Sequence, residues 1–468
     1  MLRCAQLGDS RRKLAVKNSA STFLSEPARE VPVVGEYDLC VIGGSCTGVF
    51  AAVRAARLGL SVALVERNIL FGGMAAAAQV NEWHSLHDLS GRRQVIGGLT
   101  AEVLAQLRGR NAVRDGQRRE GASFRFNSAE LALLLDELVR EHGIRPFLQA
   151  ICVGGLCEDG RVVAALLEDK SGRRAIRARF FIDASGDGDL LRRTGFRARR
   201  DPQLQPASYQ VLASGLGTPQ QASALWRRAR TRASEFGYSL ENGTPWFSEY
   251  PSGGAVLNVF GARMNGVDAS DADSLTRAIL EGRRRQTAML EMLRAAGAEN
   301  LNVVGLAHAL GVRETWHACC LQALTGDELL AGCPFSDAIA QGTYPVDVHS
   351  VEGTLLRYLD GREFLVRPDG SEIERHWRPA DAEIPSFYQI PFRSLIPQDA
   401  RNFLIAGRLI DADREAFGAV RVMVTMNQTG EAAGVAAALC LQEDCPPENL
   451  SSELLRRTLV EGGSLLNI

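Results

Sequence analysis

Residues 37–67 read YDLCVIGGSCTGVFAAVRAARLGLSVALVER, and the order of residue types in this stretch decides the fold. Leu39 to Ile42 is a short apolar run of the kind a strand buried on both faces needs. A glycine-rich turn follows, Gly43-Gly44-Ser45-Cys46-Thr47-Gly48. An Ala-rich segment without Pro then runs to Leu58, with Gly59 placed to stop a helix. A second apolar run, Val62 to Val65, ends on Glu66. The spacing predicts a strand–helix–strand unit whose turn aims a helix N-terminus, with free N–H groups and a positive dipole end, at a pyrophosphate. Glu66 stands 23 residues after Gly43, where a carboxylate takes the hydroxyls of a ribose.

The third position of the G-x-G-x-x-G pattern is Ser45, where glycine would admit the closest backbone approach. A serine fits there if its φ is negative. The unit therefore predicts a dinucleotide site within an α/β, Rossmann-like domain.

With 468 residues, the chain has room for two or three units. A formal net charge of −2 gives no field that would favour nucleic acid, and no apolar run reaches the roughly 18 residues of a membrane span. Ten cysteines show neither a C-x-x-C pair nor Cys/His metal spacing, so no metal site is expected and a reducing cytoplasm suits them. Ser10-Arg11-Arg12-Lys13-Leu14 resembles the start of a twin-arginine export signal, but no continuous apolar segment follows. Residues 1–35 are read as an N-terminal tail.

Past Glu66, Gly72-Gly73-Met74 suggests backbone passing close to a ligand. Residues 80–88, VNEWHSLHD, break any regular period and crowd Trp83, His84 and His87 together. A helix is expected after Ser128 or Asn127, stopping at Gly143. Three strands with turns at Asp159-Gly160 and Ser171-Gly172 follow, and the last ends in Asp183-Ala184-Ser185-Gly186-Asp187-Gly188-Asp189, which puts several carboxylates on the crevice side of an open sheet. From about 196 to 385 the texture changes, as an inserted α+β substrate domain would. Within it, residues 313–317 bring Arg313, Glu314, Trp316 and His317 together; Arg313 and Glu314 could equally form a purely structural pair. His349 stands alone and reads as structural. After residue 400 the first texture returns: NFLIAGR ends in Gly407-Arg408, and Arg421-Val422 lead into an Ala-rich helix with Gly430 and Gly434 for close packing. The expected division is a tail (1–35), a nucleotide-binding domain (36–195 and 386–445), the inserted domain (196–385) and a C-terminal tail (446–468).

These blocks, in this order over roughly residues 36–442, resemble the FAD-dependent oxidoreductase family, with the glutathione-reductase-type FAD-binding fold and a relation to the succinate dehydrogenase flavoprotein group. Where that family shows R-E-(T/S)-R, this chain has Arg313-Glu314-Thr315-Trp316. The resemblance implies FAD, with the pyrophosphate at Gly43, Gly44, Ser45, Cys46, Thr47 and Gly48 and the ribose at Glu66. It places Arg67 near the adenine, Ala150 or Ile151 pairing with adenine through backbone, and Gly72, Gly73 and Met74 along the phosphates. Ala184, Ser185, Gly186 and Asp187 would line the crevice, and Gly407 and Arg408 would approach the ribityl chain. Arg421, Val422 and the helix they open would face the flavin N1–C2=O edge, stabilising the negative charge of reduced flavin.

A second glycine-rich unit, as in a pyridine-nucleotide disulfide reductase, is lacking. The Gly-Asp pair of aromatic-ring monooxygenases is replaced by Gly407-Arg408. Two classes remain. One is a dehydrogenase or oxidase moving a hydride between a small polar organic substrate and flavin N5. The other is a non-catalytic or electron-carrier flavoprotein subunit of a larger complex. The enzyme reading predicts His84 or His317 as proton acceptor and Arg313 as substrate anchor, with Trp83 and Tyr388 nearby. Substrate, electron acceptor and oligomeric state are not written in the sequence.

Overall fold

The structure, a computed structural model, describes residues 23–118, 121–240, 244–368 and 370–466. The Ser10–Leu14 stretch of the expected tail lies outside the described residues. Strand β1 (Val33–Ile42) starts inside that tail, helix α1 spans Cys46–Arg57, and strand β2 spans Val62–Glu66. β1 pairs in parallel with β2 and with Gly172–Asp183, β2 with Arg145–Leu148, and Gly172–Asp183 with Phe403–Ile405. Residues Ile151–Glu158 and Arg161–Asp169 extend this seven-stranded sheet as an antiparallel meander. The result is a mixed α/β fold in which the run 402–408 returns to the same sheet as β1.

The stretch 144–156 reads as one strand, but it breaks at Gln149, whose φ is +52°. The backbone there turns so that Gln149 and Ala150 donate to the carbonyls of Asn68 and Glu66. Its two halves therefore lie at opposite edges of the sheet. The helix cap at residues 127–128 is Asn127, which accepts from the Ala129 and Glu130 N–H groups.

Residues 196–385 pack as more than one body. Trp246–Glu249, Val256–Met264, Ala207–Ser214 and Asn302–Leu306 form an antiparallel sheet, which shares an apolar cluster with the helices Pro219–Ala229 and Ala272–Ala295. Val346–Ser350 opens a separate four-stranded meander. Between these, Ala318, Leu324, Leu329 and Ile339 sink into the main core around β1 and α1. The C-terminal stretch carries the helix Ser452–Glu461, which buries Leu455 and Leu459 in that core.

The helix Met423–Gln442 lies along α1. A Cβ at Gly430 would run into the Thr47 carbonyl, and one at Gly434 into that of Ala51. The matching four-residue steps mean the helices run parallel, so both N-termini open toward the same side. Buried Arg54 and Glu431 close the interface at 3.4 Å, and Arg54 also donates to carbonyls at the end of the last helix. Burial outweighs the help from Arg54 and the Leu99 N–H and lifts the Glu431 pKa to about 7.

In the unfolded chain a glutamate titrates near ~4.3. Between those two pH values the folded protein holds a proton that the unfolded chain has lost, so stability falls as pH rises through that window. The thermal midpoint is expected to drop between pH 5 and 7.5 more steeply in the wild type than in Glu431→Gln, which cannot ionise. Equal slopes in the two proteins would remove Glu431 as the cause.

Candidate active site

A cavity of about 400 Å³ opens where the parallel strands end, and it continues under the 207–306 sheet. At one end, Gly43 adopts φ +102°, and a Cβ there would strike the Ala184–Ser185 backbone. Ser45 caps α1 with φ −64°, which meets the condition for a serine at this place. Its hydroxyl faces the Gly48 N–H at 3.4 Å. Ser45, Cys46 and Thr47 line the cavity. Gly44 and Gly48 lie behind that wall. The Gly44 N–H donates to Glu66 Oε2 at 2.7 Å, and Gly48 is held glycine by the Gly43 carbonyl.

Glu66 is buried and lines the cavity. Its Oε1 accepts from the Asn68 N–H at 2.7 Å and from Asn68 Nδ2 at 2.6 Å, while Oε2 accepts from Gly44 alone. A lone pair on Oε2 is thus left for a ribose hydroxyl. Gly72, Gly73 and Met74 form the next stretch of wall, and a Cβ on Gly73 would meet Ser45. Of the two residues whose backbone was expected to meet adenine, Ala150 lines the cavity, as does Cys152, while Ile151 turns its side chain to solvent.

Ala184, Ser185 and Gly186 line the crevice, but Asp187 turns inward. It pairs with Arg67 at 2.8 Å and with Arg408, and accepts from Thr315 Oγ1 at 2.9 Å. Burial opposes its ionisation, yet Arg408 and Arg67 outweigh burial and hold its pKa below the usual range. The guanidiniums of Arg67 and Arg408 are therefore engaged with protein, although both residues border the cavity. Asp189, the last carboxylate of the same run, lines the wall instead; burial and the charges of Asp187 and Asp183 raise it to about 6.

At the other end lie Gly407, Arg421 and Val422. Val422 caps the 423–442 helix without a side-chain hydrogen bond, so the first N–H groups of that helix have no cap. Asn427, one turn in, is buried and lines the cavity, yet neither amide atom has a partner among the described residues. Uncapped N–H groups, a partnerless amide and a glycine-walled turn in one cavity fit a long dinucleotide carrying a polar heterocycle.

Beyond this lie His84 and Arg313. His84 packs against Tyr344 with ring centroids 4.2 Å apart and the planes tilted by 42°. Arg313 donates to the Pro206 carbonyl at 2.7 Å and does not pair with Glu314, whose carboxylate instead takes the Gln205 N–H and His317 Nε2. His317 is corrected as a site residue. It is buried outside the cavity with Nδ1 facing the Ile410 carbonyl and Nε2 facing Glu314, which leaves neither nitrogen to accept a substrate proton. Trp83 and Tyr388 are fully buried core residues.

Asp347 and His349 were missed. They stand two apart on the strand Val346–Ser350 and so share a face. That alternation, polar residues at 347 and 349 against Val346 and Val348, was the legible signal. Asp347 accepts from Arg421 Nη2 at 2.8 Å and from the Tyr344 hydroxyl at 3.1 Å, with His349 Nε2 at 3.3 Å. Burial opposes ionisation of Asp347, but the charges of Arg421 and Arg313 and the hydrogen bond from His349 hold it well below the usual range. Burial, only partly offset by Asp347, pushes His349 down to about 3, so the imidazole is neutral.

Residues 38–459 match the FAD dependent oxidoreductase family. A stretch of 60 residues is 43% identical to the mitochondrial dihydrolipoyl dehydrogenase of Schizosaccharomyces pombe, covering 11% of this chain and 12% of that protein. Among solved structures, a geranylgeranyl bacteriochlorophyll reductase-like protein from Thermoplasma acidophilum is 13% identical over 92% of this chain and 86% of its own, with a TM-score of 0.46. A myxobacterial chondrochloren halogenase is 14% identical over 91% and 78%, with a TM-score of 0.41. Both structural likenesses are weak. The family match covers most of the chain, and on that ground the chain belongs to the FAD-dependent oxidoreductase family and is an oxidoreductase with FAD as its cofactor.

Proposed function

We propose that this protein is a dehydrogenase or oxidase acting on a small polar organic substrate, with an FAD half of the glutathione-reductase type related to the succinate dehydrogenase flavoprotein group. One observation carries the reading: a single cavity joins the glycine turn and Glu66 to an imidazole and a guanidinium, His84 and Arg313. An electron carrier has no need of that second end.

In this reading Ser45, Cys46 and Thr47 hold the pyrophosphate, with Gly44 and Gly48 shaping the turn behind them. Glu66 takes the adenosine ribose, and Ala150 borders the adenine. Gly407, Val422 and Asn427 surround the heterocycle, with the 423–442 helix adding positive potential. FAD supplies the hydride-accepting or hydride-donating atom. The chain's own residues do the rest. Arg313 anchors a carbonyl or anionic group by forked hydrogen bonds. His84, braced by the Tyr344 ring, takes or returns the substrate proton at an imidazole nitrogen. The 207–306 sheet covers this end and limits water.

The purified protein is expected to be yellow and to release FAD on acid treatment. Glu66→Ala is expected to weaken FAD binding about 10- to 150-fold, or roughly 1.5–3 kcal/mol, the scale of lost hydrogen bonds to a charged group. An unchanged dissociation constant would refute the ribose role.

With a substrate that bleaches the flavin anaerobically, His84→Gln is expected to slow bleaching by roughly 10²- to 10⁴-fold. His317→Gln should alter chiefly the melting temperature. The reverse pattern would exchange the roles assigned to the two histidines.

A further inference from the structure

Three guanidiniums share the cavity wall beyond the heterocycle end: Arg263, Arg313 and Arg421. One carboxylate, Asp347, is set among them. Arg421 binds it directly, but the hydrogen bonds of the other two go to uncharged groups: Arg263 Nη1 to the Thr354 hydroxyl at 2.8 Å, and Arg313 Nη1 to the Pro206 carbonyl. His349 is neutral and adds no charge. Its Nδ1 faces the Thr354 hydroxyl at 3.0 Å, which fixes the ring in place. Buried Arg421 Nε and Gln210 Oε1 lack partners among the described residues. Three positive charges thus meet one negative charge.

Burial and their mutual repulsion both act on these arginines. Desolvation, then Arg421 and Arg263, draw Arg313 down to about 9, and Arg263 is lowered too. Glu66, Glu82 and Asp189 also border the cavity, yet the charges Arg313 feels most are Arg421, Arg263 and Asp347. An excess of two cations on a partly dry wall is costly until anions neutralise it.

The wall has a second component. The strand Val256–Met264 carries a bulge: Phe260 faces Gln210, and Arg263, three residues on, faces Ser208 two residues away. The extra residue turns Phe260 and Arg263 into one cavity, where regular alternation would oppose them. Trp246 packs on Phe260 with centroids 4.4 Å apart, so an aromatic surface adjoins the cationic one.

We propose that this wall binds an organic dianion, two carboxylates or one phosphate monoester, joined to a flat apolar group that lies against Trp246 and Phe260. The proposal rests on the oxidoreductase reading above and names its substrate class. Arg263 and Arg313 grip the charges. Asp347 is a positioning residue that orients Arg421 and His349.

The test titrates FAD-loaded protein with phthalate, phenyl phosphate, benzoate and benzamide, following the flavin absorption band and, in parallel, calorimetric heat. At least one dianion is expected to bind about tenfold or more tightly than benzoate, and benzamide more weakly still. Which dianion is tighter separates paired carboxylates from a phosphate ester. Arg263→Gln and Arg313→Gln should each weaken the dianion about tenfold or more, while Arg263→Lys weakens it less and FAD content stays unchanged. Equal affinities across the four probes, or dianion affinity untouched in both glutamine variants, would overturn the proposal. A wild-type protein that takes up no FAD would instead contradict the FAD reading, and the calorimetric arm would still decide the dianion site.

Discussion

The carbonyls of Thr47 and Ala51 occupy the space that side chains at 430 and 434 would need, and much of the architecture follows from that contact. Only glycine lets two helices approach this closely. Because they run parallel, their positive ends face the same way, an arrangement that repels itself and favours an anion in front. Met423 precedes Gly430 by seven residues, so the second helix extends about 10 Å past the level of Thr47 at 1.5 Å per residue. One cavity therefore receives two staggered positive ends, a spacing suited to a cofactor with phosphates at one place and an electron-accepting ring at another.

The remaining elements keep that cavity in register. Asp187 joins Arg67 beside β2, Arg408 beyond the returning strand, and Thr315 from the inserted stretch. A buried carboxylate with two cationic partners tolerates little displacement, since removing either would strand a charge. The same logic operates at the far end with the opposite balance. There the cations outnumber Asp347, and the excess is left for a ligand.

Much of the nucleotide half was legible because its signals are local. The 43–48 turn, Glu66 and the paired glycines at 72–73 act through backbone geometry that neighbouring residues dictate, and Gly430 and Gly434 announce close packing by their lack of a side chain. The substrate end was legible only in part. His84 and Arg313 were read from crowding of chemical types, and both line the cavity. His317 was read the same way, but it spends both nitrogens inside the core, a fact set by partners 93 residues away at Ile410 and next door at Glu314. His349 reads as structural because it is isolated in the sequence, whereas in space it stands beside Asp347, which carries no signal of its own. Arg263 was hidden by a bulge, which shifts the face of a side chain without any mark in the sequence.

One cavity would hold FAD from the α1 turn to the cationic wall. A crystal structure of the FAD-loaded protein tests it most directly. The account predicts the pyrophosphate against Ser45, Cys46 and Thr47, and the flavin ring beside Val422 and Asn427 with one face open toward Arg313 and His84. Density placing the ring away from Arg313 and His84, or the pyrophosphate away from the α1 turn, would contradict it.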